Sequence, residues 1–371
     1  MLQRLACLLI ALTTIAAGAQ SGPVGPKPSY PPTPWPIQNG SYDIHNFRFE
    51  TGQTLPDLHL HYLTLGTPRR DAAGHTVNAV LLLHGTGGSA HSLLNPVFSN
   101  VLFGPGQPLD ITKYFIILPD DIGHGESSKP SDGLRMNFPR YTYDDMVRSQ
   151  HQMLVDGLHV DHLRLILGTS MGCMQSFVWG ETYPKFSDAL MPLACLPIEI
   201  AGRNRMWRYM AMQSIRDDPA WDNGNYTQEP LEGLRGAADM IIIAISAPQQ
   251  WQKDYPTRQE AEAYVNRVQN AVVSETDADD FIYQVDASRD YNPEPRLSSI
   301  TADVMWVNSA DDFINPFELD QEIAEKLVHR MSHARFVLIP ASMQTYGHGT
   351  HTHAADWKQY LVELLQESAK K

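Results

Sequence analysis

Ser170 sits in Gly168-Thr169-Ser170-Met171-Gly172, preceded by the apolar, strand-like run Leu163-Arg164-Leu165-Ile166-Leu167 and followed by a helix-like stretch over 171–179. A serine on a sharp strand-to-helix turn is held in a strained conformation with its hydroxyl exposed. Glycines on both sides, Gly168 and Gly172, let strand and helix approach closely enough. On its own the pentapeptide is no more than a common glycine-rich turn. The strand before it and the helix after it make Ser170 a candidate nucleophile.

A serine hydroxyl is weakly nucleophilic, so it needs a base to take its proton and an acid to hold that base in one tautomer. On an elbow of this kind the acid and then the base follow in chain order. Residues 304–316 read as a strand followed by Asn308-Ser309-Ala310-Asp311-Asp312-Phe313-Ile314-Asn315-Pro316, and either aspartate can serve as the acid. A helix-capping role suits Asn315 better than the aspartate pair. Past the last strand, Tyr346-Gly347-His348-Gly349-Thr350-His351-Thr352-His353 supplies the base, and His348, between two glycines, is the choice. The same histidines, with His351 and His353, also have the spacing of metal ligands, but no carboxylate or cysteine ligand is signalled beside them, so no metal is assigned. Negative charge on an attacked carbonyl needs fixed donors. The backbone N–H of Met171 supplies one and that of Thr86, in the loop Gly85-Thr86-Gly87-Gly88-Ser89 after an apolar strand, supplies the other. That loop lacks the lysine and the spacing of a phosphate-binding loop. No cofactor is called for.

These residues have to be carried by a scaffold. Opening strands are expected at 42–49 and 58–65, and buried ones at 78–83, 114–118, 163–167, 189–194, 304–307 and 336–339. Helices are expected at 143–158, 316–329 and 354–367. Strands alternating with helices imply an α/β fold with a mostly parallel central sheet flanked by helices. Between 199 and 297 the alternation gives way to a helix-leaning stretch rich in Trp, Tyr and Met, expected to form a helical cap over the C-terminal edge of the sheet. Its Trp207, Tyr209, Met212 and the run 240–243 read as the cap's own core rather than as pocket lining.

The N-terminus has the plan of a secretory signal over 1–19: Arg4, an apolar stretch, and small residues ending at Ala19. The apolar stretch is short for a membrane span, and no other segment is a candidate. Secreted or periplasmic localisation is therefore expected. Residues 20–36 form a proline-punctuated leader that cannot be helix or central strand, and the core would comprise 37–198 and 298–371. The net charge of −14 becomes one unit more negative without Arg4, which disfavours nucleic-acid binding. Cys173 and Cys195 remain after the signal. Buried free thiols are the plainer reading of them, and a disulfide is the alternative in an oxidising compartment.

The chain resembles the α/β-hydrolase superfamily and, within it, the homoserine O-acetyltransferase group. The likeness runs over about 79–355 and rests on His84-Gly85, Phe103-Gly104-Pro105-Gly106, Asp145-Met146-Val147-Arg148, Gly168-Thr169-Ser170-Met171-Gly172-Cys173-Met174-Gln175, Asp218-Pro219-Ala220-Trp221 and Tyr346-Gly347-His348. It implies an α/β-hydrolase fold, a nucleophile at Ser170, the acid at Asp312 and the base at His348. Three departures point away from the group's activity. Residues 120–130 read as in a general hydrolase. The arginine that holds an amino-acid carboxylate falls on Met212. A secretion signal separates the chain from acetyl-CoA. The expectation is therefore a secreted serine hydrolase acting on a small-molecule acyl ester, with an acyltransferase of the homoserine O-acetyltransferase type as the first alternative and a non-catalytic binding protein as the second. The sequence does not fix the oligomeric state, a dimer included.

Overall fold

The computed structural model describes residues 30–369. The expected signal, its cleavage near Ala19 and the first part of the leader lie outside the described residues. From Tyr30 the rest of the leader lies on the core: Tyr30 stacks on His91 with ring centroids 3.6 Å apart, and Trp35 meets Phe103 edge-on.

Eight strands form one sheet in the order β1-β2-β4-β3-β5-β6-β7-β8. They are β1 (Gln38–Arg48), β2 (Thr54–Leu65), β3 (Ala79–Leu83), β4 (Phe115–Pro119), β5 (Leu165–Thr169), β6 (Ala189–Leu193), β7 (Asp303–Ser309) and β8 (Ala334–Ile339). β1 and β2 form an antiparallel pair, β2 joins β4 antiparallel, and every pairing from β4 to β8 is parallel. β3, β4, β5 and β6 are buried at every position, which is why each reads as an unbroken apolar run: helices cover both faces, leaving no side for polar alternation. The two faces carry separate apolar clusters, one containing Leu81, Met146, Phe177 and Trp306, the other Leu82, Phe98, Leu167 and Trp357.

The helices are α1 (Pro96–Leu102), α2 (Tyr143–Gln152), α3 (Met171–Thr182), α4 (Gly202–Arg216), α5 (Leu231–Ala244), α6 (Pro248–Asp254), α7 (Arg258–Glu275), α8 (Ala278–Asp286), α9 (Phe317–Leu327) and α10 (Lys358–Ser368). α2 stops earlier than the pattern suggested, and Met153–Gly157 continue as a π-helical turn. Among the described residues no helix is long and apolar enough to cross a membrane.

Helices α4 to α8 occupy the segment between β6 and β7 and build their own apolar cluster, with Met212, Ile215, Trp221, Leu234 and Phe281. Met212 and Ile242 are buried as expected of a core, whereas Tyr209 and Ile243 face outward, 52% and 57% exposed. Periodicity explains the difference: Tyr209 and Ile243 lie on the outer faces of α4 and α5. Cys173 and Cys195 are joined in a disulfide, which corrects the expectation of free thiols.

In this strand order β4 and β5 flank β3 on opposite sides. The chain thus changes its direction of winding between β3 and β5, and the crevice beyond the C-terminal ends of these two strands is where open α/β sheets bind ligands. The loop with Thr86 leaves β3 there and the Ser170 turn leaves β5.

Candidate active site

Ser170 takes φ 54° and ψ −107°, a strained conformation for a residue with a side chain, between β5 and α3. Close approach dictates the flanking glycines. A Cβ on Gly168 would stand 1.9 Å from the Gly172 carbonyl oxygen, and one on Gly172 would stand 2.3 Å from that of Leu83. The turn is pinned from both neighbouring strands: Ser170 N–H donates to the Leu193 carbonyl at the end of β6 (2.8 Å) and Gly172 N–H to the His84 carbonyl just past β3 (3.0 Å).

His348 lies in the 3-10 turn Gly347–Thr352 beyond β8. Its Nε2 is 2.8 Å from Ser170 Oγ and its Nδ1 2.8 Å from Asp312 Oδ2. With Nδ1–H donating to the carboxylate, Nε2 carries the lone pair that faces the serine hydroxyl. Asp312 is buried, and its remaining acceptor capacity is filled by the N–H groups of Ile314 (2.8 Å) and Asn315 (3.2 Å) and by Asn315 Nδ2 (2.9 Å).

Asp311, the other aspartate, points elsewhere. It accepts from Thr345 Oγ1 (2.8 Å) and Gly347 N–H (3.0 Å), tying down the loop that carries His348. Asn315 is not the helix cap it resembled. Pro316 occupies the position before α9, while Asn315, buried, bridges the Ala194 carbonyl (3.0 Å) and Asp312.

The three histidines go separate ways. His351 meets the His348 ring edge-on at 5.0 Å, and burial together with its histidine neighbours holds its pKa well below the usual value; His353 stacks on Tyr346. Among the described residues no group of three or more His, Cys, Asp or Glu side chains is placed to hold a metal ion.

At the end of β3, His84 Nδ1–H donates to the Gly85 carbonyl (2.8 Å), which also receives Gly88 N–H (3.0 Å), while His84 Nε2 accepts Asp121 N–H (3.3 Å). These bonds fix the peptide plane that bears the Thr86 N–H. No acceptor among the described residues takes the N–H of Thr86 or of Met171. The loop also passes directly over Ser170, since a Cβ on Gly85 would lie 3.3 Å from Ser170 Cβ.

Several residues around this arrangement were not singled out from the sequence. Asp121, fully buried and with its pKa raised by burial, accepts from Gln175 Nε2 (2.7 Å) and from Gln150, whose Oε1 takes Trp179 Nε1–H (2.7 Å). Asp120 accepts from His61 Nδ1 (2.7 Å) and the Ala90 N–H (2.6 Å). Both aspartates of the segment 120–130 are thus taken up in holding neighbouring side chains and backbone.

Arg208 on α4 is the other addition. Its guanidinium is buried, donating from Nε to Asn204 Oδ1 (2.9 Å) and from Nη1 to the Val285 carbonyl (3.2 Å). It also interacts with the Tyr143 hydroxyl, which in turn lies against Thr86. Neither Tyr143 Oη nor Thr86 Oγ1 completes a well-formed hydrogen bond. Asp286, whose charge also acts on Arg208, forms its ion pairs with Arg140, Arg205 and Arg289. Burial, with the neighbouring Arg205 charge, lowers the Arg208 pKa against the opposing pull of Tyr143 and Asp286. Met212, one helical turn further on the same buried face, packs in the apolar cluster of the inserted helices.

Comparison with known proteins places the chain in a family and confirms the fold. Residues 78–342 match the family model described as alpha/beta hydrolase fold. A homoserine O-acetyltransferase from Moorella thermoacetica is 31% identical over 361 residues, covering 86% of this chain and 91% of the relative. One from Geobacter sulfurreducens is 29% identical, covering 82% and 89%. Among solved structures, homoserine O-acetyltransferase from Bacillus anthracis superposes with a TM-score of 0.78 at 21% identity, covering 89% of this chain and 97% of that one. An acetylester hydrolase from Corynebacterium glutamicum superposes at 0.77 and 18%, covering 89% and 96%. At these identities the superpositions establish the fold.

Proposed function

The chain belongs to the alpha/beta hydrolase family, in its homoserine O-acetyltransferase-like group, and on that basis we propose that it is an acyltransferase moving an acyl group from an activated ester to the hydroxyl of a homoserine-like amino acid. This corrects the secreted esterase expected from the sequence: relatives aligned over most of both chains are named homoserine O-acetyltransferase, so the alternative reading fits them better.

The acyl-enzyme chemistry rests on the placement of His348, 2.8 Å from both Ser170 Oγ and Asp312 Oδ2, and the choice of acceptor on the relatives. Ser170 Oγ attacks the donor carbonyl while His348 Nε2 takes its proton. The oxyanion forms where the Thr86 and Met171 N–H groups are free to donate. His348 then protonates the leaving group, and Asp312 stabilises the imidazolium in between. The acceptor hydroxyl enters, His348 removes its proton, the acceptor oxygen attacks the acyl-enzyme, and Ser170 regains its hydrogen as the new ester leaves.

Arg208 answers the strongest objection raised by the sequence. The cation that the resemblance puts at Met212 is absent there, but α4 carries a buried guanidinium one turn earlier, outside the ion pairs of Asp286 and linked through Tyr143 toward Thr86. Such a group suits the carboxylate of an amino-acid acceptor. Arg208→Met should raise the acceptor KM by one to two orders of magnitude, the expected loss for a charge-assisted hydrogen bond worth about 1.5–3 kcal/mol. Acylation by an uncharged aryl ester should be unchanged, as read from the burst of aryl alcohol. An acceptor KM that does not move would exclude this role for Arg208.

A further inference from the structure

The peptide segment leaving β6 touches both halves of the site. The Leu193 carbonyl receives Ser170 N–H (2.8 Å), and the next carbonyl, that of Ala194, receives Asn315 Nδ2 (3.0 Å), the amide that also holds Asp312 Oδ2 (2.9 Å). Ala194 adopts φ 66°, which turns the chain sharply at this point. The following residue, Cys195, is fixed to β7: its N–H donates to Asn308 Oδ1 (3.2 Å), and its carbonyl accepts from Trp306 Nε1 (2.8 Å) and Asn308 Nδ2 (3.0 Å). From this anchored position the disulfide reaches back to Cys173, in the first turn of α3, three residues beyond the nucleophile. Both cysteines are buried.

We propose that the Cys173–Cys195 disulfide is a positioning element for acyl transfer, a covalent strut that holds the nucleophile turn in register with the acid loop through the β6 exit. The disulfide ties the start of α3, with Ser170 and the Met171 N–H, to the same backbone that orients Asn315 and through it Asp312. His348 must reach both ends of this frame at once, so a small relative shift between α3 and the acid loop lengthens one of its two hydrogen bonds. The inference rests on the acyl-enzyme chemistry proposed above, but not on the identity of the acceptor.

The test measures the acylation burst of an uncharged aryl ester in the full chain, well below each protein's thermal transition. Four proteins are compared: the parent, C173A/C195A, N315A and the triple variant. We expect the disulfide variant to acylate roughly tenfold more slowly or worse with the ester KM unchanged, since misplacements of about 1 Å cost up to a hundredfold in rate. The triple variant should be no slower than the worse of the other two, because strut and amide act along one line. An unaltered acylation rate in C173A/C195A, whatever its melting temperature, would reduce the disulfide to a general staple and overturn the proposal. Losses that simply multiply in the triple variant would overturn the link through Asn315. Should C173A/C195A fail to fold, C173S/C195S is read by the same two criteria. Ester turnover that survives Ser170→Ala would instead remove the acyl-enzyme reading on which the inference stands.

Discussion

Asp311 and Asp312 both serve His348 but in different ways. Asp312 meets the imidazole directly, while Asp311 fastens the loop behind it through Thr345 and Gly347. Asp312→Asn should lower kcat on the order of a thousandfold or more, because the amide no longer enforces the tautomer that accepts the serine proton. Asp311→Asn keeps an acceptor for the loop and should cost about tenfold at most through loosened positioning. Steady-state kinetics on one ester compare the two, and equal losses would contradict the division. At this scale residue type and spacing singled out Ser170 and the glycine-flanked His348, and the fold brings them within 2.8 Å of each other. The sequence was not legible where a role depends on what the fold brings near: nothing local tells that Asn315 bridges Ala194 and Asp312, or that Arg208 is buried against Val285.

The central strands could be read from apolar runs alone because burial on both faces removes every polar position from β3 to β6. The π turn after α2 and the outward Tyr209 and Ile243 escaped, because periodicity gives the existence of a helix better than its end or its partner. Behind the site, α9 packs Asp320 against β7, where Oδ1 accepts Asn308 Nδ2–H (2.8 Å) and Oδ2 has no partner. Burial, reinforced by the charge of Asp312, pushes the Asp320 pKa up to about 8. Between the ordinary carboxylate range and that value the folded protein holds a proton that the unfolded chain has released, so this group's contribution destabilises the fold progressively as pH rises from about 4 to about 8 and levels off above. Asp320→Asn should therefore flatten the decline of the melting temperature across that interval. Calorimetry at a series of pH values decides it: parallel curves for the parent and the variant would refute the assignment.

For the molecule as a whole, the strand order places the loop after β3 and the turn after β5 side by side, while the helices between β6 and β7 supply Arg208. The family was legible from scattered motifs. The reaction is where the sequence reading departs from the relatives: of its three grounds, the first covers 120–130, where Asp120 and Asp121 hold neighbouring side chains, and the second is Met212, which packs in the apolar cluster one turn from Arg208. The third, the signal over 1–19, falls outside the described residues. The same serine, histidine and aspartate can deliver an acyl group to water, so the acceptor decides the reaction. The most direct test follows the acyl group of an aryl acetate by mass spectrometry as homoserine is raised through the millimolar range. Acyl transfer predicts that O-acetylhomoserine becomes the main product and that aryl release accelerates with acceptor concentration. Free acetate as the sole product at every homoserine concentration, with a constant rate of aryl release, would contradict it.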